Sequence, residues 1–293
     1  MEELNECTLC PIKCRVNRNA GKLGRCGAGK EIKIGLYSLH FDEEPCISGE
    51  SGSGTVFFSN CNLKCDFCQN YKISCEGKGE TITIERLAEI FIEQQEKGAN
   101  NINLVTGVPY VPQIIETIKI AKLNGLKIPI LYNTSGYETI ETLKKLEGYI
   151  DIYLPDFKYA DNHLAKRLSK IKDYREVTEN AIREMYRQVG ANQYDENGIL
   201  KRGMIIRHLV LPNNIENSKN VLKWIKENMP ENITISLMAQ YFPTYKAIMD
   251  SQINRKLTNE EYQEIENYLY KLGIENGYIQ DLGENEESYV PNF

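Results

Sequence analysis

After Cys75 the sequence contains no cysteine through its remaining 218 residues, out of 293. A disulfide scaffold, which spreads bridges along a chain folded in an oxidising compartment, does not fit that distribution. Long apolar runs are also missing. The longest, such as 128–132 and 204–211, fall far short of the ~20 residues a membrane-spanning helix needs. Positive charge is in deficit: the net charge is −6 and the isoelectric point about 5.4, so there is no electrostatic case for nucleic-acid binding. The opening M-E-E-L-N-E-C lacks the basic-then-apolar pattern of a secretory signal, from which a cytoplasmic location is expected. No internal repeat or low-complexity stretch occurs.

What is present is ordinary in bulk and unusual in one residue type. Apolar residues make up 41% and charged residues 26%, which fits a globular protein large enough for a full core. The nine cysteines are crowded toward one end. Cys7, Cys10, Cys14 and Cys26 form one group and Cys61, Cys65 and Cys68 another, with Cys46 and Cys75 apart. At such spacing, outside an oxidising compartment, grouped cysteines read as ligands of metal or iron–sulfur clusters. The first thirty residues hold six basic side chains against Glu2, Glu3 and Glu6, a local excess suited to balancing thiolate charge.

From residue 54 onward, short apolar runs alternate with amphipathic stretches. Strands are expected at 55–59, 102–105, 128–132, 150–154, 204–211 and 233–237. Helices are expected at 84–97, 111–124, 137–147, 174–189, 216–227 and 259–272. In the first helix Ile84, Leu87, Ala88, Phe91 and Ile92 share one face. In the last, Thr258 and Glu261 form a capping-box pattern. D-E-N-G within 192–202 marks a hairpin turn. Such alternation implies an α/β protein with a parallel sheet, closed either as an open doubly wound sheet or as a partial (β/α)6 barrel. In both, chemistry sits beyond the carboxyl ends of the strands. Residues 1–53 lack this rhythm and read as a cysteine-rich N-terminal extension, with 54–293 as the core and its helical tail.

Cys61 follows the first of these strands by two residues. Three thiolates at C-x3-C-x2-C can hold three irons of a [4Fe–4S] cube and leave the fourth iron open to a small molecule. The alternative is a structural zinc completed by Cys75 or Cys46, although zinc sites usually pair cysteines as C-x2-C twice. Spacing and placement favour the open cluster. The N-terminal four suit zinc or a second [4Fe–4S] cluster equally, and Cys46 and Cys75 read as buried free thiols.

C-x3-C-x-aromatic-C after the first strand, with Phe67 as the aromatic, resembles the radical S-adenosylmethionine (SAM) superfamily. F-F-S-N-C-N-L-K-C-D-F-C-Q-N-Y-K-I-S, N-T-S-G-Y-E, D-I-Y-L-P-D-F-K-Y and I-S-L-M-A-Q-Y-F-P resemble, more narrowly, the uncharacterised homologues of pyruvate formate-lyase activating enzyme. The resemblance runs from about residue 5 to residue 245. It implies a partial (β/α)6 barrel, a [4Fe–4S] cluster on Cys61, Cys65 and Cys68, and SAM chelating the open iron. Reductive cleavage of SAM would give a 5′-deoxyadenosyl radical that abstracts hydrogen from a substrate. It further implies an oxidoreductase with an electron donor such as flavodoxin or ferredoxin, and a protein substrate if the enzyme is a glycyl-radical activase. Modification of a small molecule or peptide is the rival within the superfamily. A zinc-stabilised interaction module without catalysis is the rival outside it.

The resemblance also assigns SAM contacts. Thr106, Gly107, Val108 and Pro109 stand where the family has a Gly-Gly-Glu-Pro-like turn for the SAM amino group, with Val108 in place of the acidic residue. Asn133, Thr134 and Ser135 suit the ribose hydroxyls or carboxylate, and also the N-cap of the next helix. Lys158 would meet the SAM carboxylate. Asp156 matches a monovalent-cation position whose partner carboxylate is Asn133 here. Arg207 aligns with an arginine that reaches SAM, and a charge inside an apolar strand is costly unless paired. His208 faces the other way by strand alternation and reads as structural. Gln240 and Tyr241 are candidates for the adenosine or substrate wall.

Overall fold

The computed structural model describes residues 1–283. Its elements in chain order begin with β1 (Ile32–His40), α1 (Pro45–Ser48), β2 (Ser53–Phe58), α2 (Tyr71–Ser74) and β3 (Glu80–Ile82). Then come α3 (Ile84–Glu96), β4 (Ile102–Val105), α4 (Val111–Leu123), β5 (Ile130–Thr134), α5 (Ile140–Leu146) and β6 (Ile152–Pro155). The rest are α6 (Asn162–Ser169), α7 (Tyr174–Val189), β7 (Gln193–Tyr194), β8 (Leu200–Leu209), α8 (Ile215–Asn228), β9 (Thr234–Met238), α9 (Asn259–Lys271) and β10 (Gly277–Ile279).

One sheet runs in the order β10-β9-β8-β6-β5-β4-β2-β1-β3, with β7 paired to β8. Strands β2, β4, β5, β6, β8, β9 and β10 are mutually parallel. β1 and β3 add to the far side in antiparallel fashion. The six expected parallel strands are present, and the sheet gains β10 at one edge and the β1–β3 pair at the other. The 193–202 hairpin forms around D-E-N-G. The capping box at Thr258 and Glu261 closes the start of α9.

Curvature follows from one contact. Glu43 lies three residues after β1, yet its carboxylate meets Arg207 on β8 at 3.0 Å. Five strand steps separate β1 from β8. At ~4.8 Å each they would span roughly 24 Å if flat; three residues reach only about 10 Å, and the two side chains rise from the sheet's inner face rather than lying along it. The sheet therefore curls into a partial barrel.

Strand alternation divides the core in two. Tyr132, Tyr153, Met204 and Ile206 pack outward beneath the helices, in the large cluster. Leu131, Ile152, Leu154 and Ile205 face inward and pack with Cys46 and Ile47 of α1. The 41–52 connection between β1 and β2 thus enters the barrel as a plug. Asn101 and Asn100 fasten it by donating to the carbonyls of Ile47 (2.9 Å) and Ser48 (2.6 Å).

Candidate functional site

The loop after β2 carries the three cysteines, and its backbone is unusual. Asn60 and Lys64 adopt positive φ of 73° and 78°, a conformation uncommon for residues with side chains and often found at functional loops. Lys64 Nζ pins the loop by donating to the carbonyls of Ser74 (2.9 Å) and Cys75 (3.2 Å). The result turns Cys61, Cys65 and Cys68 toward one cavity of about 210 Å3 at the carboxyl end of the parallel strands. Leu63 N–H points at Cys61 Sγ (3.5 Å), and Ser169 Oγ donates to Cys65 Sγ (3.0 Å). Burial pushes the Cys61 thiol up to about 12. Ionising such thiols needs strong positive charge at hand, as bound iron supplies.

Phe67 also lines the cavity, its ring edge-on to Tyr159 and Tyr241. Tyr241 is itself buried, donates to the Ile253 carbonyl (2.7 Å), and supports Phe67 from behind. Thr106, at the end of β4, lines the cavity with φ of 64°. Gly107 does not line it. An added Cβ there would meet Ile114 and Tyr132, so this glycine serves close packing under the turn. Val108 is buried.

Asn133, Thr134 and Ser135 continue from β5 into the cavity wall. Thr134 Oγ1 is turned aside by a 2.5 Å hydrogen bond to Glu138, whose carboxyl burial raises to about 8. Ser135 Oγ is buried with no hydrogen-bond partner among the described residues, a polar atom that a ligand would satisfy.

The charged wall joins β6 and β8. Asp156 and Arg207 are bridge partners across these strands. Asp156 Oδ2 accepts from Lys158 Nζ (2.6 Å) and Oδ1 from Arg207 Nε (3.0 Å). Arg207 also donates to Glu43 Oε2 (3.0 Å) and Asn133 Oδ1 (2.6 Å). Burial opposes the charge of Asp156, and Lys158 and Arg207 outweigh it, holding the carboxyl below its usual range. Burial likewise opposes the Arg207 and Lys158 cations, and their carboxylate neighbours keep both protonated. Glu43 was missed in the sequence. Only the fold-back of the plug brings it here.

His208 points to the helix side of β8. Its ring meets the Phe157 carbonyl (2.7 Å) and Ser218 Oγ (2.8 Å), and burial lowers it to about 4. Gln240 lines the cavity, held through its carbonyl by Gln69 (2.9 Å).

Cys7, Cys10, Cys14 and Cys26 line a separate, mostly apolar space of about 20 Å3 with Arg18 and Arg25. Arg18 Nη1 approaches Cys7 Sγ (3.9 Å) and Ala28 N–H approaches Cys26 Sγ (3.4 Å). Arg25 donates to the Leu63 carbonyl (3.1 Å), and Asn62 lines this second space, so the two thiol groups share a wall. Cys46 is buried inside the barrel. Ser74 Oγ lies between Cys68 Sγ (3.0 Å) and Cys75 Sγ (3.6 Å), placing Cys75 beside the three-thiol loop. Among the described residues, no three His, Cys, Asp or Glu side chains stand close enough to hold a single metal ion. The three-thiol loop offers the ligand type of a four-iron cube on one shared cavity.

The model of the radical SAM superfamily matches residues 55–192. An uncharacterised protein of Methanocaldococcus jannaschii is 34% identical over 268 residues, covering 88% of this chain and 72% of its own length. A putative glycyl-radical enzyme activating enzyme of the same organism is 33% identical over 127 residues, covering 42% of this chain and 50% of its own. Among solved structures, methylornithine synthase aligns with a TM-score of 0.50 at 16% identity, over 77% of this chain and 69% of that one. A mutant of spore photoproduct lyase aligns with a TM-score of 0.50 at 12% identity, over 85% and 81%. At such identities these structures share the fold alone.

Proposed function

Because the chain belongs to the radical SAM superfamily, we propose that Cys61, Cys65 and Cys68 hold a [4Fe–4S] cluster and that the adjoining cavity binds SAM. When bound, the two together supply reductive cleavage of the SAM sulfonium bond to a 5′-deoxyadenosyl radical that abstracts hydrogen from a substrate. The observation that carries this reading is the meeting of three thiols with Lys158, Asp156 and Arg207 around one cavity. Lys158 and Arg207 keep unshared N–H donors for a carboxylate or hydroxyl of the ligand. Ser135 Oγ and the backbone around Thr106 offer further polar contacts. Phe67, Tyr159 and Tyr241 form an apolar wall that keeps water from the cysteine loop.

The substrate of this proposal is a partner protein from which a glycine hydrogen is taken. Support is similarity over 42% of the chain to a putative activating enzyme. A one-electron carrier such as flavodoxin or ferredoxin serves as donor. The four N-terminal thiols, in the extension 1–53, form a second site for zinc or another [4Fe–4S] cluster, and must draw together to close on a single ion. Anaerobic reconstitution tests the central reading. About four irons on the three-thiol loop, with 5′-deoxyadenosine released on reduction, are expected. A colourless protein holding only zinc overturns it.

A further inference from the structure

We propose that Glu43 is the positioning residue that aims Arg207 into the cavity, which makes the 41–52 plug a functional part of the site. The inference rests on the reading that the cavity binds SAM. It follows from the donor count and the placement of the plug.

A guanidinium has five N–H donors. In Arg207, Nε is used by Asp156, one Nη1 donor by Glu43 and one Nη2 donor by Asn133. Two donors remain, one on each terminal nitrogen, on a side chain that lines the cavity. Asp156 cannot fix that orientation alone, because its other oxygen is committed to Lys158. Glu43 is committed on both sides as well. Oε2 accepts from Arg207, and Oε1 accepts from Asn103 (2.8 Å) and Asn133 (3.3 Å). Its side chain is 10% exposed and also borders the cavity, but both its oxygens already accept hydrogen bonds, so its main effect on a ligand is through Arg207.

The pairing also balances charge. Lys158 and Arg207 stand against Asp156 and Glu43, and the four-membered set is neutral. The amino-acid end of SAM, its ammonium and carboxylate together, enters such a set without adding net charge there, and carboxylate or hydroxyl oxygens meet the leftover N–H donors. Without Glu43, Asp156 is the one carboxylate hydrogen-bonded to both cations, and the nearby Glu44 carboxyl is held toward its neutral form by burial. Arg207 then turns toward Asp156 and its free donors leave their line to the cavity.

The test uses the anaerobically reconstituted full chain, with SAM affinity from equilibrium binding and iron content measured side by side. Glu43→Gln is expected to weaken SAM about tenfold or more, the scale of a lost charge-assisted hydrogen bond, with iron unchanged. Glu43→Asp should restore part of the affinity. Arg207→Gln combined with Glu43→Gln should be no weaker than Arg207→Gln alone, since the two act as a unit. Asn103→Leu removes the support of Glu43 without touching Arg207, and should give a smaller loss if Glu43→Gln fails to fold. Wild-type affinity in Glu43→Gln, or losses that multiply in the double variant, overturns the pairing while the SAM site stands. A wild-type protein that holds iron but binds no SAM overturns both.

Discussion

The two thiol groups share a wall and differ in what they face. The three-thiol loop opens on a cavity of about 210 Å3 ringed by Asp156, Lys158 and Arg207. The four-thiol group closes on about 20 Å3 of mostly apolar space. Local sequence sets the difference. Cys61 leaves a parallel strand at its carboxyl end, where the barrel gathers polar side chains from several strands. Cys7 to Cys26 sit on turns that close on themselves, with Arg18 donating to the Gly29 (2.9 Å) and Pro109 (2.6 Å) carbonyls. On the proposed reading, three thiols beside a polar cavity suit exchange of a small molecule, and four thiols around a closed pocket suit a structural or electron-holding role.

The largest expected effect tests the open side of this contrast. Replacing Cys61, Cys65 or Cys68 with Ala should abolish SAM cleavage, to the limit of detection, while circular dichroism shows the α/β fold retained. Cleavage preserved in any of the three removes that residue from the ligand set. Cys10→Ser should leave measurable SAM cleavage in the folded fraction and lower only the metal content of the second site. If it abolishes cleavage as fully as Cys61→Ala, the division between the two groups fails.

Much of this contrast was legible in the sequence, because both groups are short-range patterns. The parallel strands and their helices were legible for the same reason: α3 repeats its apolar residues on one face over thirteen residues. Arg207 stood out as a charge in an apolar strand that requires partners, and the fold gives it three. β1 was not legible. Of its nine residues only Ile32 and Ile34 are buried, so its alternation is weak. α6 is eight residues long and too short for periodicity to register. Glu43 was hidden most completely. Its neighbours Asn103, Asn133 and Arg207 lie 60, 90 and 164 positions away, and only the curled sheet assembles them.

Intermediate effects should separate ligand affinity from cluster retention. Lys158→Ala removes a cation that bonds Asp156 and lies beside Cys65. SAM affinity is expected to fall about 10- to 100-fold, as for a lost charge-assisted hydrogen bond, with iron content intact. Unchanged affinity removes Lys158 from the site. On the closed side, a Cβ at Gly24 would run into Cys14 Sγ and press on Val16. Gly24→Ala should therefore lower stability by about 1–3 kcal/mol and loosen metal at the four-thiol group. SAM affinity at the open site should not change, and a matching loss there would show that the shared wall transmits strain.

The smallest effect concerns the strand that carries Arg207 on one face and His208 on the other. Burial holds His208 near 4, below its usual 6.5. Between those values the unfolded chain binds a proton that the folded chain does not, so stability rises with pH through that window. The contribution is complete above about 6.5 and is lost as pH falls toward 4, at most ~3 kcal/mol from this residue. His208→Gln should flatten the fall in melting temperature between pH 7 and pH 5 while leaving SAM affinity at pH 7 within about twofold, since its side chain lies on the helix side of β8, facing away from the cavity, and glutamine can keep the bonds to Phe157 and Ser218. Both thiol groups should lose metal together along that fall in the parent chain, because unfolding of the common frame releases them at once. Loss from the four-thiol group first would instead mark it as a unit that opens on its own, and would draw the line between the two regions at their shared wall.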